Sequence, residues 1–236
     1  MTFSVIFIVL LCSIIQSILG VGILIFGTPT LLLMGYNYHE TLYLILPSSI
    51  LISLLQTIKS PNQLSGTRFI IIYTLPMIVI GLLAVSYFYE IINIKYLVGL
   101  MLLSVGVMRA VPFISDYLKR FLSKYRILYH TIMGLVHGAS NMGGGMLVLL
   151  MTSIHDKRSA ILANIAYTYL LFGVIQMITL YLFSKELINL DAFLLAFLSL
   201  IMYLITTNFI VKKISDKNFN SFTNLLIIFY GVFIFF

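Results

Sequence analysis

Residues 136–145 read VHGASNMGGG and lie in the middle of an apolar segment, Ile127–Ile154. Glycine costs about 1 kcal/mol in a helix interior relative to alanine, and this stretch ends in three glycines in succession. A second long apolar segment, Thr2–Tyr38, contains LGVG at residues 19–22 and GTP at residues 27–29. Proline costs about 3 kcal/mol inside a helix. Both segments are therefore predicted to break into pairs of half-helices.

The overall composition is that of a membrane protein. The chain has 236 residues, of which 61% are hydrophobic and 9% are charged, with a mean hydropathy of +1.11. Soluble domains average about 45–50% apolar and about 25% charged residues, so a water-soluble globule and a disordered chain are both excluded. Cys12 is the single cysteine, which excludes an intrachain disulfide framework. The net charge of +7 comes from basic residues between apolar segments, which indicates cytoplasmic loops rather than a nucleic-acid surface.

Eight apolar segments lack Asp, Glu, Lys and Arg. They are Thr2–Tyr38, Thr41–Ile58, Phe69–Tyr89, Tyr96–Met108, Ile127–Ile154, Ser159–Ser184, Ala192–Val211 and Asn218–Phe236. A membrane-spanning helix needs roughly 20 apolar residues, and these segments do not show the alternation of a membrane β-strand. The fold class is therefore predicted to be an all-α polytopic membrane protein. No cleavable signal peptide is expected, because the first segment is far longer than a signal-peptide core and no basic residue precedes it.

The basic residues test how the two broken segments cross the membrane. If every segment crossed once, eight Lys and Arg residues would lie on one side and six on the other. If each broken segment enters and leaves on the same side of the membrane, twelve basic residues lie on one side and only Lys95 and Lys185 lie on the other. Cytoplasmic loops carry an excess of Lys and Arg, so we predict two hairpins, with Met1 and Phe236 both outside the cytoplasm. The twelve are Lys59, Arg68, Arg109, Lys119, Arg120, Lys124, Arg126, Lys157, Arg158, Lys212, Lys213 and Lys217.

The two halves of the chain repeat one pattern. In each half the broken segment leads through a short polar loop, residues 36–40 or residues 155–158, into a helix. These helices end near Gln56 and Gln176, which are 120 residues apart. A hairpin followed by three crossings turns the second copy upside down, which predicts inverted repeats whose broken helices meet near the membrane midplane, as in transporters. The alternative is that two glycine-rich helices pack closely.

The repeats define the predicted domain organisation. We expect one transmembrane transporter domain over residues 1–236, with repeat 1 at about 1–115 and repeat 2 at about 127–236. A basic connector at about 109–126 joins them. It is interpreted either as an amphipathic segment on the cytoplasmic surface or as a solvated loop whose charge orients the chain.

The glycine motifs resemble those of a known family. Gly20–Gly35, GVGILIFGTPTLLLMG, resembles the opening GxG and proline motif of the sulfite exporter TauE/SafE (TSUP) family. Gly138–Leu150 is similar to that family's second-repeat motif, and the resemblance covers the whole chain. It implies a secondary transporter of small sulfur-containing anions, such as sulfite, sulfonates or sulfoacetate, in the cell (inner or plasma) membrane.

Half-helix N-termini suit an anion, because their unpaired N–H groups and positive dipole ends attract negative charge. Ser140 and Asn141 are interpreted either as donors to the anion or as helix caps. His137, the histidine deepest in an apolar segment, is either a functional proton-binding group or a neutral side chain bonded to a neighbouring helix. The predicted substrate-binding residues are Gly20, Gly22, Gly27, Pro29, His137, Gly138, Ser140, Asn141, Gly143, Gly144 and Gly145.

Other chemistry is not predicted. All seven carboxylates lie outside the apolar segments or at their ends, so proton coupling would fall to His137 or to the substrate itself. The sequence has no P-loop, and no cofactor, metal site or catalytic residue is expected. The expected partners are a small anion and the lipid bilayer, without nucleic acid, and a homodimer is left open. The alternatives are an intramembrane enzyme using Ser140 and His137, for which a GxSxG turn is missing, and a non-transporting structural subunit.

Overall fold

The computed structural model describes residues 2–88, 91–110, 112–184, 190–209, 225, 228–229 and 231–233. Its helices are α1 (Phe3–Leu19), α2 (Thr28–Leu33), α3 (Tyr38–Lys59), α4 (Thr67–Phe69), α5 (Leu75–Tyr87), α6 (Ile94–Ala110), α7 (Pro112–Ser140), α8 (Gly143–Ile154), α9 (Arg158–Ser184) and α10 (Leu190–Phe209). Two π-helical turns, Ile23–Gly27 and Ile70–Thr74, run directly into α2 and α5. The described residues form no strand, which confirms the all-α prediction. Most of the last predicted segment, Asn218–Phe236, lies outside the described residues.

Four helices of the described part are long and apolar enough to cross a membrane. They are Tyr38–Lys59, Thr67–Tyr87, Arg158–Phe183 and Leu190–Phe209, and shorter apolar helices accompany them at Phe3–Ile18, Ile23–Leu33, Ile94–Ser104 and Gly143–Ile154. Large apolar side chains point outward from this bundle, and those of Phe3 and Ile91 are both 82% exposed. An extensive exposed apolar surface is stable in lipid and not in water. The prediction of a polytopic integral membrane protein is confirmed.

The first predicted break forms between α1 and the π turn that leads into α2. Gly20 ends α1 in the left-handed region, with φ of 73°, and its N–H donates to the Gln16 carbonyl at 2.9 Å. The chain then folds back so closely that a Cβ on Gly22 would lie 2.6 Å from the Cys12 carbonyl oxygen. Only glycine fits that approach. The result is the predicted hairpin of two half-helices.

The second predicted break forms between α7 and α8. Asn141 follows α7 in the left-handed region, with φ of 63°, and its N–H donates to the His137 carbonyl at 2.7 Å. Asparagine tolerates this conformation better than most residues with a side chain. The Tyr129 hydroxyl on α7 donates to the Met146 carbonyl on α8 at 2.7 Å, so α8 runs back along α7 as the second hairpin.

The two breaks share one local geometry. In each, a carbonyl four residues before the left-handed residue accepts its N–H, and a glycine two residues after it lies against the preceding helix. The three pairs of equivalent positions, each 121 residues apart, are Gln16 and His137, Gly20 and Asn141, and Gly22 and Gly143. This recurrence supports the predicted duplication, while the opposite orientation of the two copies stays a prediction.

Glycine also brings α7 close to α5. A Cβ on Gly138 would overlap the Ile78 carbonyl oxygen, and a Cβ on Gly81 would lie 2.5 Å from the Leu135 carbonyl oxygen. Small residues allow helix backbones to approach in this way inside membranes. The close-packing alternative therefore accounts for Gly138, and its role in substrate binding stays a prediction.

Most of the basic connector, from Pro112 onward, is part of α7. The helix begins at Pro112, and its backbone departs from helical geometry at Tyr125, where φ is −124° and ψ is 38°. From Pro112 the connector is thus helical, and it meets the second hairpin at a kink. The choice between an amphipathic segment on the cytoplasmic surface and a solvated segment stays a prediction.

Candidate functional site

The two breaks meet inside the bundle. The Asn141 Nδ2 atom of the second break donates to the Thr28 Oγ1 atom of the first at 2.8 Å, and both side chains are fully buried. A Cβ on Gly144 would lie 3.1 Å from the Ile25 Cδ1 atom. Residues that are more than 110 positions apart in the sequence therefore form one centre, as expected for broken helices of a transporter.

At the second break, the N-terminus of α8 has no side-chain cap. Ser140 does not supply one, because its hydroxyl donates to the Val136 carbonyl at 2.7 Å and accepts the Met142 N–H at 3.3 Å. The first N–H groups of a helix have no partner within the helix. The N–H groups of Gly143 and Gly144, in the first turn of α8, are therefore placed to bind an anion.

At the first break, the equivalent N–H is occupied. The Ile23 N–H donates to the Gln16 Oε1 atom at 3.1 Å, so the preceding helix caps its own returning segment. Gly20 and Gly22 allow the reversal. A Cβ on Gly27 would make only ordinary contacts, 3.6 Å from the Ile45 side chain and 4.0 Å from the Cys12 Sγ atom. Pro29 is buried in the first turn of α2. The two half-sites are therefore not equivalent.

His137 occupies the position of the second break that is equivalent to Gln16 of the first. Its side chain faces α9. Its imidazole is fully buried, with its centroid 4.5 Å from the Phe172 ring and 5.9 Å from the Tyr169 ring. The Gln176 side chain lies beside it. Neither ring nitrogen reaches a hydrogen-bond partner among the described residues. The bond to a neighbouring helix therefore stays a prediction, with Gln176 of α9 as its candidate partner.

The Tyr169 hydroxyl fills the space next to Gly144. A Cβ on Gly144 would overlap the Tyr169 Oη atom, and this hydroxyl has no hydrogen-bond partner in the described part of the chain. The Cα–Cβ bond of a helical residue points toward the helix N-terminus. The hydroxyl therefore stands at the N-terminal end of α8, next to the uncapped N–H groups.

Three residues at this centre were not predicted as site residues. Thr28 is adjacent to the predicted Pro29, but Tyr169 and Gln176 belong to α9 and contact the break only in the folded chain. A signal for them does exist, because Tyr169, Phe172 and Gln176 are spaced three and four residues apart and so share one helix face. Gly145 is buried in the first turn of α8, beside Gly143 and Gly144.

The centre is polar but uncharged. Among the buried side chains that the structure describes there is no Asp, Glu, Lys or Arg. The described residues also contain no group of three or more His, Cys, Asp or Glu side chains that could hold a metal ion. Nucleophilic catalysis needs a base within reach of the serine, but the Ser140 hydroxyl is bonded to the backbone and not to His137. The arrangement suits binding of a small anion better than catalysis.

A polytopic helical bundle whose discontinuous helices meet at a buried polar centre has the architecture of a membrane transporter. The chain belongs to the TauE/SafE sulfite exporter family, because the family model described as Sulfite exporter TauE/SafE matches residues 5–234. The family consists of membrane transporters of sulfur-containing anions, and the resemblance seen in the glycine motifs is thus confirmed. Comparisons with curated proteins and with solved structures found no match.

Proposed function

We propose that this protein is a secondary transporter that carries a small sulfur-containing oxyanion, of the sulfite or sulfonate class, across the cell membrane. The observation that supports the proposal most strongly is the uncapped N-terminus of α8, which faces buried polar side chains that have no partner among the described residues. Unpaired donors in a buried site are costly unless a ligand satisfies them. The anion binds between this N-terminus and α9.

The proposed site stabilises an anion without a full positive charge. A helix N-terminus is equivalent to about half an elementary charge, and the N–H groups of Gly143 and Gly144 belong to the first turn of α8. The Tyr169 hydroxyl and the His137 imidazole add neutral donors. A buried Lys or Arg would hold the ion by a strong desolvated attraction, so a site made of dipoles favours its release.

The first hairpin has a positioning role in this proposal. Thr28 accepts from the Asn141 amide and so fixes the second break against the first. Gly20, Gly22, Gly27 and Pro29 shape the first hairpin and do not touch the anion. The binding contacts in this proposal come from the second break and from α9, namely His137, Asn141, Gly143, Gly144, Tyr169 and Gln176.

Transport requires this centre to open. His137, Asn141 and Tyr169 are all fully buried, so the conformation described is closed to both faces of the membrane. We propose that two oppositely oriented repeats, at about 1–115 and 127–236, move against each other to open one face at a time. The connector at about 109–126 then lies at the cytoplasmic surface, and both termini lie outside the cytoplasm.

Counterflow in proteoliposomes tests the proposal. Vesicles loaded with unlabelled sulfite should accumulate external labelled sulfite without ATP or an ion gradient, and simple sulfonates should be tried as a second substrate class. Tyr169→Phe should slow counterflow about tenfold, because it removes one hydrogen bond to the bound anion. Tyr203→Phe, at a buried tyrosine on α10, is the matched control and should keep the wild-type rate. Absence of counterflow for every sulfur anion, or an unchanged rate in Tyr169→Phe, would contradict the proposal.

A further inference from the structure

We infer that the site at the second break selects a singly charged oxyanion that still carries one acidic proton, such as hydrogensulfite. The inference rests on the proposed function and concerns which form of the anion is carried. It predicts that both a dianion and a sulfonate, which has no O–H group, bind less well. Both the hydrogen-bonding groups of the site and its charge favour this form of the anion.

Three fully buried side chains at the site each offer a donor and an acceptor. The His137 imidazole and the Gln176 amide lie beside each other, but no polar atom of either side chain makes a hydrogen bond of ordinary geometry within the described residues, and neither does the Tyr169 hydroxyl. Even if the imidazole and the amide pair with each other, one acceptor and one donor of the two stay open. A neutral imidazole has one N–H and one bare nitrogen, and an amide has an NH₂ group and an oxygen. A ligand that fills this site must therefore donate as well as accept.

A fully deprotonated oxyanion meets only half of that requirement. It accepts from the Tyr169 hydroxyl and from the N–H groups of Gly143 and Gly144, but it has no proton to donate. At least one of the two acceptors, the bare nitrogen of His137 or the Gln176 oxygen, would then stay unsatisfied in a buried site, which is costly. An anion with one O–H group donates to one of these acceptors, and its remaining oxygens accept from the donors.

The charge of the site leads to the same form of the ligand. The cost of moving an ion out of water rises with the square of its charge, and a buried dianion therefore needs strong positive compensation. The titratable side chains around the centre are His137 and Tyr129 of α7, Tyr169 of α9, Tyr38 of α3 and Cys12 of α1, and α8 contributes none. No Lys or Arg is buried among the described residues. The helix N-terminus supplies only about half a charge, which suits a monoanion.

The wild-type protein in proteoliposomes tests the inference without any substitution. Counterflow of sulfite, measured at constant total concentration, should fall about tenfold for each pH unit above the second ionisation of the ligand. Methanesulfonate, which has the same single charge but no O–H, should be carried at least about tenfold more slowly and with a flat pH profile. Equal rates for both ligands, or a flat profile for sulfite, would overturn the inference and leave the proposed function standing. Failure of both ligands to exchange would instead contradict the proposed function.

Two variants identify where the proton resides and what recognises it. His137→Gln keeps a donor and an acceptor but cannot titrate, so the pH profile of sulfite counterflow should keep its midpoint. A profile that becomes flat would assign the proton to the histidine and overturn the inference.

Gln176→Met should reduce the preference for sulfite over methanesulfonate about tenfold. Gln56→Met, 120 residues earlier on α3, is the matched control and should keep the preference. An unchanged preference in Gln176→Met would also contradict the inference.

Discussion

Gly144 is the position of the candidate site at which a single added methyl group should have a measurable effect on stability. A methyl group there would overlap the Tyr169 hydroxyl. The Tyr169 ring cannot swing into open space, because it is fully buried with ring centroids of His137 and Phe172 at 5.9 and 6.1 Å. Overpacking of this kind destabilises the folded state by about 1–3 kcal/mol. The higher helix propensity of alanine stabilises it by at most about 1 kcal/mol. We expect Gly144→Ala to lower the free energy of unfolding by about 1–2 kcal/mol.

Equilibrium unfolding in detergent micelles, followed by circular dichroism, measures this loss. Gly27→Ala is the matched control on the first hairpin, because its Cβ would lie 3.6 Å from Ile45, an ordinary contact. It should leave the free energy of unfolding unchanged or raise it by up to about 1 kcal/mol. Adding Tyr169→Phe to Gly144→Ala removes the overlapping oxygen and leaves the Tyr169 Cζ position 2.7 Å from the new methyl group. A small shift relieves that contact, so the double variant should recover at least part of the loss.

The reasoning fails if Gly144→Ala unfolds at the same free energy as Gly27→Ala. It also fails if the losses from Gly144→Ala and Tyr169→Phe simply add, because residues in direct steric contact are expected to couple. Either result would show that the Tyr169 hydroxyl does not stand at the N-terminus of α8.

Two further predictions concern topology and the joint between the hairpins. In a Cys12→Ser background, a cysteine in place of Arg120 should resist an impermeant thiol reagent in intact cells and one in place of Lys95 should react, and the reverse pattern would refute the predicted orientation. Asn141→Ala and Thr28→Val should show a coupling of about 1 kcal/mol in a double-mutant cycle of unfolding free energies, because each removes one partner of the same buried hydrogen bond. A coupling of zero would show that this bond does not hold the hairpins together.

Much of the fold could be predicted from the sequence, because it follows from local composition. Long apolar segments specify helices in lipid, and clustered glycines specify the breaks. The glycine run at 143–145 marks the second break, although the left-handed residue there is Asn141. The π turn at Ile70–Thr74 and the kink at Tyr125 were not predicted. Pro76 lies two residues after the π turn and cannot donate to the Ile72 carbonyl, so it is a sequence signal for that turn. No glycine or proline lies beside Tyr125, so packing between helices determines that kink.

The candidate site could be predicted only in part. From the sequence alone, both breaks are predicted to be anion sites of the same kind. The structure distinguishes them, because Gln16 occupies the Ile23 N–H while His137, at the equivalent position, makes no such bond. A difference of this kind depends on side-chain reach and not on sequence spacing. The spacing of Tyr169 and Gln176 shows that they share one face of α9, but it does not show that this face meets the break, because tertiary packing of α9 determines that.

The central claim is that a small oxyanion binds at the uncapped N-terminus of α8. Selenite is a heavier analogue of sulfite, so anomalous diffraction from crystals grown with selenite locates the bound ion directly. The account predicts a selenium peak whose oxygens lie about 3 Å from the Gly143 and Gly144 nitrogens, next to the Tyr169 hydroxyl. A selenium peak at the Gln16 end of the first break, or elsewhere in the protein with none at α8, would contradict it.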